Sequence, residues 1–192
     1  MSFTNKPVYI VDDAQGWQEK FKEHPVIDWQ WDFEKLFDFG NLKEEGYQAW
    51  LTDNFSFTAP YGKTTTGLEA AWAQVKDTYQ FFTTYYHEPI EYIVWETETG
   101  WKLTGRAFMY VNFPVPLEGA TKVADLTGKE WDWKGIGMFT FEWVKDPSGP
   151  KGIKMKRWDV IADGFPMMNE MVKRGMVTFD QIAAMLKERT SG

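Results

Sequence analysis

The chain has 192 residues and a formal net charge of −7, and 43% of its residues are hydrophobic and 26% charged, a composition typical of one soluble globular domain. The acidic balance argues against a nucleic-acid-binding protein, which needs a basic face, and no apolar window is long enough to predict a membrane span or a signal peptide. Without such a segment, we expect a cytoplasmic protein. Because there is no cysteine, a disulfide framework and thiolate chemistry are excluded, which leaves the redox compartment undetermined.

The first forty residues are predicted to hold an arm and two helices. Residues 1–16 form the arm, which contains the short strand-like segment PVYIV. Between Trp17 and Phe39, aromatic and leucine side chains recur every three or four residues, which indicates helix. Pro25 interrupts this pattern. We therefore expect two helices, with the second starting near Asp28 or Asp32.

The next part of the chain changes from strand to helix. Residues 55–67, FSFTAPYGKTTTG, alternate and contain proline and glycine, so they predict a strand with a turn. Residues 68–82, LEAAWAQVKDTYQFF, carry leucine, alanine, tryptophan, valine and tyrosine on one helical face. This segment is therefore a predicted amphipathic helix.

The remainder is predicted to be four long strands and two short helices. Residues 85–115 and 133–163 each alternate with a period of two and predict two strands, joined by ETETG and DPSGPKG respectively. The loop between these pairs, 114–130, is the longest irregular segment and is predicted to be a lid. Helices are predicted in the extension at 165–190.

This order predicts an α+β fold in which helices pack on one face of a curved antiparallel sheet. No repeat and no low-complexity linker suggests a second domain. We therefore expect a single domain over 1–192, with the N-terminal arm (1–16) and the C-terminal helical extension (165–190) as additions to it.

The motifs of several enzyme classes are missing. The sequence has no glycine-rich phosphate loop, no dinucleotide fingerprint, no HExxH and no GxSxG. Two histidines and no cysteine argue against a histidine- or thiolate-rich metal site, while an all-carboxylate site stays open. We therefore expect acid–base chemistry with no metal and no cofactor.

The stretches NFSFTAPYGKTTTG and LEAAWAQVKDTY, with the long strands that end at KRWDVIAD, resemble the nuclear-transport-factor-2-like (NTF2-like) superfamily, particularly its SnoaL-like branch. The resemblance covers roughly Asp28 to Asp163. It implies a cone-shaped, cystatin-like sheet with helices on its concave face. The superfamily includes isomerases, dehydratases, epoxide hydrolases, cyclases and non-catalytic domains, so the fold does not decide the function.

One local match is to scytalone dehydratase, whose catalytic histidine follows the third helix at the start of a long strand. His87 in TTYYHEP stands at that place. The resemblance puts Asn112 at the position of that family's second catalytic histidine and Thr140 near its pocket asparagine. Its two carbonyl-activating tyrosines have no clear counterparts. The base of ketosteroid isomerases corresponds to Ala59, and the Asp-Arg-Asp set of limonene epoxide hydrolases is incomplete around Arg106.

His87 has two interpretations. It is either a strand histidine bonded to a backbone carbonyl, or a proton-transfer group in an apolar pocket, since imidazole titrates near neutral pH. If His87 points inward, strand alternation sends Tyr85, Glu91 and Ile93 to the same face.

Alternation also groups the other candidates. With Asn112 and Thr140 inward, the pocket would gain further side chains, and an Arg106–Glu142 pair would brace the sheet. These further side chains are Phe108, Tyr110 and Met138.

The last strand has two possible registers, because a slip by one residue exchanges its faces. Asp159 is a candidate catalytic carboxylate in one register, and Trp158 lines the pocket in the other. Tyr61, after the Pro60 turn, is a candidate pocket hydroxyl.

The hypothesis from the sequence is a cofactor-free lyase, isomerase or cyclase of secondary metabolism, acting on a hydrophobic polycyclic or aromatic intermediate. His87 would move the proton, and Asn112, Thr140 and a tyrosine would bind a carbonyl or enolate oxygen. Two alternatives stay open. One is a pericyclic cyclase that works by enforcing substrate shape, and the other is a non-catalytic small-molecule carrier or dimeric interaction domain.

The aromatic content also predicts a homodimer. Aromatic residues make up 18% of the chain, which is more than one cavity accommodates and suggests that an outer sheet face is covered by a second copy. The tryptophans on or beside the strands that suggest this are Trp95, Trp101, Trp131, Trp133 and Trp143.

Overall fold

The structure, a computed structural model, describes residues 6–190, except for the side chains of 185, 186 and 188–190. The helices are α1 (Pro25–Phe39), α2 (Leu68–Tyr79), α3 (Phe165–Lys173) and α4 (Phe179–Thr190). The strands are β1 (Tyr9–Val11), β2 (Leu51–Thr58), β3 (Thr64–Thr66), β4 (Thr84–Glu96), β5 (Gly100–Asn112), β6 (Val123–Ala124), β7 (Glu130–Trp131), β8 (Trp133–Lys145) and β9 (Ile153–Ala162).

Seven strands form one curved sheet in the order β1-β4-β5-β8-β9-β2-β3, and β6 and β7 form a separate ribbon. All neighbouring strands in the large sheet are antiparallel except β2 and β9, which are parallel. Helices α1 and α2 pack against the sheet. The predicted α+β fold with a curved sheet is confirmed.

Helix α1 begins at Pro25, which is earlier than the predicted start near Asp28 or Asp32. Proline suits the first helical position because its missing N–H would have no partner there. His24 precedes it and its Nδ1 accepts a hydrogen bond from the Val26 backbone N–H at 3.3 Å, so the second histidine of the chain is a helix cap.

The space between α1 and the sheet is filled by aromatic rings. Phe33 and Phe37 of α1 meet Trp158 of β9 edge to face, with centroids 6.2 and 5.3 Å away. Trp29 contacts Trp143 of β8 in the same way. Edge-to-face contacts at these distances are favourable for aromatic quadrupoles. Much of the aromatic surplus therefore belongs to the core of this chain.

This packing corrects the argument from tryptophans for an intermolecular interface. Trp131 and Trp143 are fully buried within the chain, and Trp101 and Trp133 pack against the core. The surplus of aromatic residues alone does not call for a second copy.

Strand β4 contains a bulge, which changes the predicted alternation. Its pairing with β5 slips between Pro89 and Glu91. Tyr85 and His87 point inward before the bulge, and Tyr92 points inward after it. The prediction that Glu91 shares the face of His87 is therefore wrong, as is the same prediction for Ile93, because the extra residue of a bulge exchanges the faces of the strand that follows.

Gly105 of β5 makes this bulge possible. A Cβ at Gly105 would lie 2.5 Å from the Glu91 carbonyl oxygen and 2.6 Å from Cδ1 of Tyr92. We expect Gly105→Ala to lower the free energy of unfolding by about 1–3 kcal/mol, as for other overpacked sites. Urea denaturation of the wild type and the variant measures this decrease. Gly164→Ala is the control, because the nearest atom there is the flexible end of Met168; equal effects would contradict the prediction.

The end of the loop 114–130, which was predicted as a lid, lies against the outer face of the sheet. The Leu126 N–H donates to Oε1 of Glu88 at 3.1 Å, and Tyr110 donates its hydroxyl to the other oxygen of Glu88 at 2.8 Å. Asp125 accepts the indole N–H of buried Trp131 at 2.8 Å. These contacts hold residues 125–131 on the face opposite to His87, so this part of the loop does not cover the histidine.

Candidate functional site

His87 is buried between α1, α2 and the inner face of the sheet and is 4% exposed. Its Nδ1 lies 2.8 Å from Oδ1 of Asp38, and its backbone N–H donates to Oδ2 of the same carboxylate at 2.9 Å. Its Nε2 lies 3.1 Å from the hydroxyl of Tyr79. Helix α1 supplies the carboxylate and helix α2 the phenol, so the imidazole is held at both nitrogens.

A second carboxylate, Glu34, lies one helical turn before Asp38. Its Oε2 is 3.5 Å from Nδ1 of His87, and its Oε1 accepts a hydrogen bond from the Gln30 side-chain amide. Residues four apart share a face of a helix. Gln30, Glu34 and Asp38 therefore form a polar row on the side of α1 that also carries Phe33 and Phe37.

The electrostatics of this cluster favour a protonated imidazole. Burial alone would lower the pKa of His87, but the charge of Asp38, its hydrogen bond and the charge of Glu34 outweigh burial and raise the pKa to about 9. At neutral pH the imidazolium donates from Nδ1 to Asp38 and from Nε2 to Tyr79. His87 is therefore suited to act as an acid.

Two neighbours have altered pKa values as well. Burial raises the pKa of Glu34 to about 7, against the attraction of His87 and with a contribution from Asp38. Burial also raises the pKa of Tyr79 well above 10. Tyr79 therefore stays a neutral phenol, which can accept a hydrogen bond from His87 while it donates its own proton.

The open space beside His87 is small. A cavity of about 20 Å³ lies next to Gln30, Glu34, His87 and Phe139, which is room for about one water molecule. A polycyclic molecule does not fit between α1 and the sheet, because aromatic side chains fill that region.

A larger apolar groove lies between the end of α2, the end of β9 and α3. It consists of two adjoining spaces of about 60 and 160 Å³. Tyr79 and Phe139 line the smaller space, and Tyr61 lines the larger. The two spaces share part of their lining, which includes Pro60, Thr78, Ala162 and Met167. Tyr79 therefore borders the groove and contacts His87, and it is the link between them.

Besides His87, three of the predicted site residues lie on the inner side of the sheet or at the groove. Tyr85 points inward and donates its hydroxyl to the Phe37 carbonyl at 2.9 Å. Trp158 is buried in the core, so the register that places Trp158 inside is the one that forms. Tyr61 accepts a hydrogen bond from the Gln74 amide at 3.3 Å.

The other predicted site residues lie on the outer face, so their predicted inward orientation is wrong. Asn112 pairs with Thr84, whereas His87 pairs with Met109, and positions an odd number of residues apart face opposite sides. Asp159 bonds Nε of Arg157 at 2.8 Å. The remaining outer-face residues are Phe108, Tyr110, Met138 and Thr140.

The predicted brace between Arg106 and Glu142 does not form. The bulge brings Glu91 opposite Arg106, and the two make a bidentate ion pair with both distances at 2.7 Å. This pair is largely exposed, so its contribution to stability is small.

The inference from sequence missed Asp38, Glu34 and Tyr79. One signal was available: glutamine, glutamate and aspartate recur every four residues on the same helical face as buried phenylalanines. Polar side chains on an apolar face need partners. That Asp38 meets a residue 49 positions away depends on packing and has no local signature.

No family model matches the sequence, and no curated protein is significantly similar to it. Solved structures do match. A proposed dehydratase of the NTF2-like family from Streptomyces avermitilis has a TM-score of 0.56 at 13% identity, over 76% of this chain and 97% of that one. A proposed scytalone dehydratase from Novosphingobium aromaticivorans has a TM-score of 0.52 at 14% identity, over 74% and 84%.

An NTF2-like superfamily protein from Salmonella enterica also matches, with a TM-score of 0.50 at 11% identity, over 74% of this chain and 91% of that one. At such identities the likeness concerns the fold alone. The chain has the NTF2-like fold, as the resemblance in its sequence predicted. Within residues 6–190, no helix is long and apolar enough to cross a bilayer.

Proposed function

We propose that this protein is a cytoplasmic, cofactor-free acid–base enzyme that carries out a lyase, isomerase or cyclase step on a hydrophobic intermediate of secondary metabolism. The observation that carries the proposal is the buried chain Asp38–His87–Tyr79, whose last member borders an apolar groove. A buried ion pair such as Asp38–His87 often adds little to the stability of a fold, so stability alone does not explain its presence. Apolar pockets that are bordered by hydrogen-bonded titratable residues are typical of catalytic sites.

In this proposal the substrate lies in the groove and places an oxygen atom against the hydroxyl of Tyr79. A water molecule takes the proton from the neighbouring carbon as Tyr79 donates its proton to that oxygen, and His87 then restores the proton of Tyr79 through Nε2 and regains its own from solvent. Asp38 stabilises the imidazolium and keeps its orientation. The same donor serves a carbonyl that becomes an enolate or a hydroxyl that leaves as water. His87 acts through Tyr79 here, rather than on the substrate directly.

The proposal is tested with 2-tetralone, an apolar bicyclic ketone that exchanges its α protons through an enol. Deuterium incorporation in D₂O, followed by NMR, should be faster with the wild-type protein than with buffer. His87→Gln should lower the protein-dependent rate at least about 100-fold, the lower range for general acid–base catalysis. Thr140→Val, on the outer face, should leave it unchanged.

Other outcomes separate the alternatives. An active His87→Gln variant would favour catalysis by shape enforcement. Saturable binding of 2-tetralone with no exchange above buffer in the wild-type protein would contradict the enzyme and favour a carrier.

We also propose a homodimer formed through the outer sheet face. Ile136, Met138 and Ile161 are 51%, 42% and 62% exposed on neighbouring strands β8 and β9, and clustered exposed apolar residues are typical of interfaces. Light scattering should give twice the chain mass, and Met138→Glu should give the monomer. A wild-type monomer across a wide concentration range would contradict this. The control is Thr52→Glu, on β2, which adds the same charge away from this cluster and should remain a dimer.

A further inference from the structure

We propose that Glu34, Asp38 and His87 form a binding site for one divalent transition-metal ion of the zinc type. One carboxylate oxygen of Glu34, one of Asp38 and one imidazole nitrogen of His87 lie within 4.8 Å of one another. Imidazole and carboxylate together are ligands that such ions accept. This inference goes beyond the acid–base function proposed above.

An independent observation is the unsatisfied oxygen of Glu34. Glu34 is 7% exposed, and its Oε2 accepts no hydrogen bond within the described part of the chain, although it points at Nδ1 of His87. A buried carboxylate oxygen without a hydrogen-bond donor is costly. A cation between Glu34 and His87 would give that oxygen a partner.

Each of the three ligands is already oriented by a further group. Gln30 donates to the other oxygen of Glu34, and the His87 backbone N–H donates to the second oxygen of Asp38. Tyr79 stands at Nε2 of His87. With a metal ion on Nδ1, the Nε2–H would donate to the phenol, as metal-bound histidines usually donate to an outer partner.

The distance between His87 and Glu34 already suits a four-coordinate ion. Ligand bonds of about 2.0–2.2 Å separate neighbouring ligand atoms by roughly 3.3–3.6 Å in a tetrahedron, and Nδ1 of His87 is 3.5 Å from Oε2 of Glu34. The contact of Nδ1 with Asp38, at 2.8 Å, would widen as the proton between them leaves. The adjoining cavity of about 20 Å³ takes one water molecule as the fourth ligand.

The charge of the three ligands and the access to them from solvent both agree with a site for a divalent ion. Two carboxylates and a neutral imidazole carry a charge of −2, which a divalent ion neutralises. A surface groove of about 170 Å³ lined by Trp17, Trp31 and Phe39 reaches both Glu34 and Asp38, and it provides an entry path from solvent. Because the ion replaces the proton on Nδ1, a bound ion would block proton transfer along Asp38, His87 and Tyr79.

The test is a calorimetric titration of the EDTA-treated full-length protein with ZnCl₂, repeated with CoCl₂ to record the visible absorption of the bound ion. We expect one site per chain and proton release on binding, seen as a dependence of the heat on the buffer. Glu34→Gln should weaken binding by more than about 100-fold. Gln30→Ala, which removes an orienting partner, should weaken it by about 10–100-fold.

His24→Asn is the matched control, because it removes the other imidazole of the chain and keeps a good helix cap. It should bind Zn²⁺ as the wild type does. Circular dichroism verifies that each variant is folded. The proposal is overturned if the folded wild type shows no saturable binding, or if Glu34→Gln binds as tightly as the wild type.

The two proposals fail separately. Loss of tetralone exchange in His87→Gln without Zn²⁺ binding in the wild type would leave the acid–base function and remove the metal site. Zn²⁺ binding that depends on Glu34, with exchange unaffected by His87→Gln, would leave the metal site and remove the acid–base function.

Discussion

Asp38→Asn is expected to lower the protein-dependent exchange rate of 2-tetralone by up to about 10⁴-fold, the loss seen when the carboxylate partner of a catalytic histidine becomes an amide. The amide keeps the shape of the carboxylate but not its charge. Asp38 raises the pKa of His87, whereas burial lowers it. Without the charge, the imidazole is neutral at pH 7 and cannot resupply Tyr79 with a proton.

The accompanying change is directly measurable by NMR of the two imidazole rings across pH. The pKa of His87 should fall from about 9 in the wild type to its ordinary value of about 6.5 or below in Asp38→Asn. His24 is an internal reference, since burial lowers its pKa and it is remote from Asp38. A pKa for His87 that stays near 9 in the variant would show that Asp38 does not control the imidazole.

The second large effect is a loss of stability as the pH rises from 5 to 9. The folded-state pKa of His87, about 9, is above its unfolded value of 6.5, so its contribution is complete below pH 6.5 and is lost as the pH rises through 9. Glu34 also stabilises the folded state more at low pH, because its folded-state pKa of about 7 exceeds its unfolded value of 4.5. This contribution is lost as the pH rises from 4.5 to 7. Because one pKa unit corresponds to about 1.4 kcal/mol, His87 contributes about 3 kcal/mol and Glu34 about 2.5 kcal/mol over this pH range, and together we expect a decrease of roughly 5–6 kcal/mol.

Urea denaturation at half-unit pH steps measures this decrease. The comparison is made in a Glu34→Gln background, because the attraction of His87 lowers the pKa of Glu34 and removing His87 alone would let Glu34 titrate at higher pH. In that background, His87→Gln should make the stability nearly independent of pH between 7.5 and 9. Carboxyl groups with lowered pKa values, such as those of Asp125 and Glu91, act at lower pH and do not affect this window. Equal slopes in Glu34→Gln and in Glu34→Gln/His87→Gln between pH 7.5 and 9 would refute the assignment.

The aromatic filling of the fold restricts where chemistry can occur. In this chain Phe33, Phe37 and Trp158 occupy the region between α1 and the sheet, and the apolar groove that Tyr79 borders lies beside α3. A buried acid can act at a distance only through a hydrogen-bonded relay. Phe139 and Tyr79 both contact His87 and line the groove, but Tyr79 carries the hydroxyl that can pass a proton, which is why the proposed mechanism depends on it.

The sequence by itself determined the helices and long strands. The helix beginning at Leu68 and the strands of 133–163 follow from periodicity, because side-chain alternation and amphipathic faces are local properties of the backbone. It also placed His87 near the start of a strand after that helix. The error in α1, which begins at Pro25, concerns a boundary and not the existence of the helix.

Only the tertiary structure decided which side chains meet. The bulge at Pro89–Glu91 exists because Gly105 of the next strand allows a close backbone approach, and it reverses the facing of every later residue in β4. The register of β9 puts Trp158 inside and Asp159 outside, because burying the indole stabilises one of two registers that alternation leaves equal. The pairing of Asp38 with His87 joins a helix to a distant strand, and such contacts are set by packing between elements rather than by the local pattern of either.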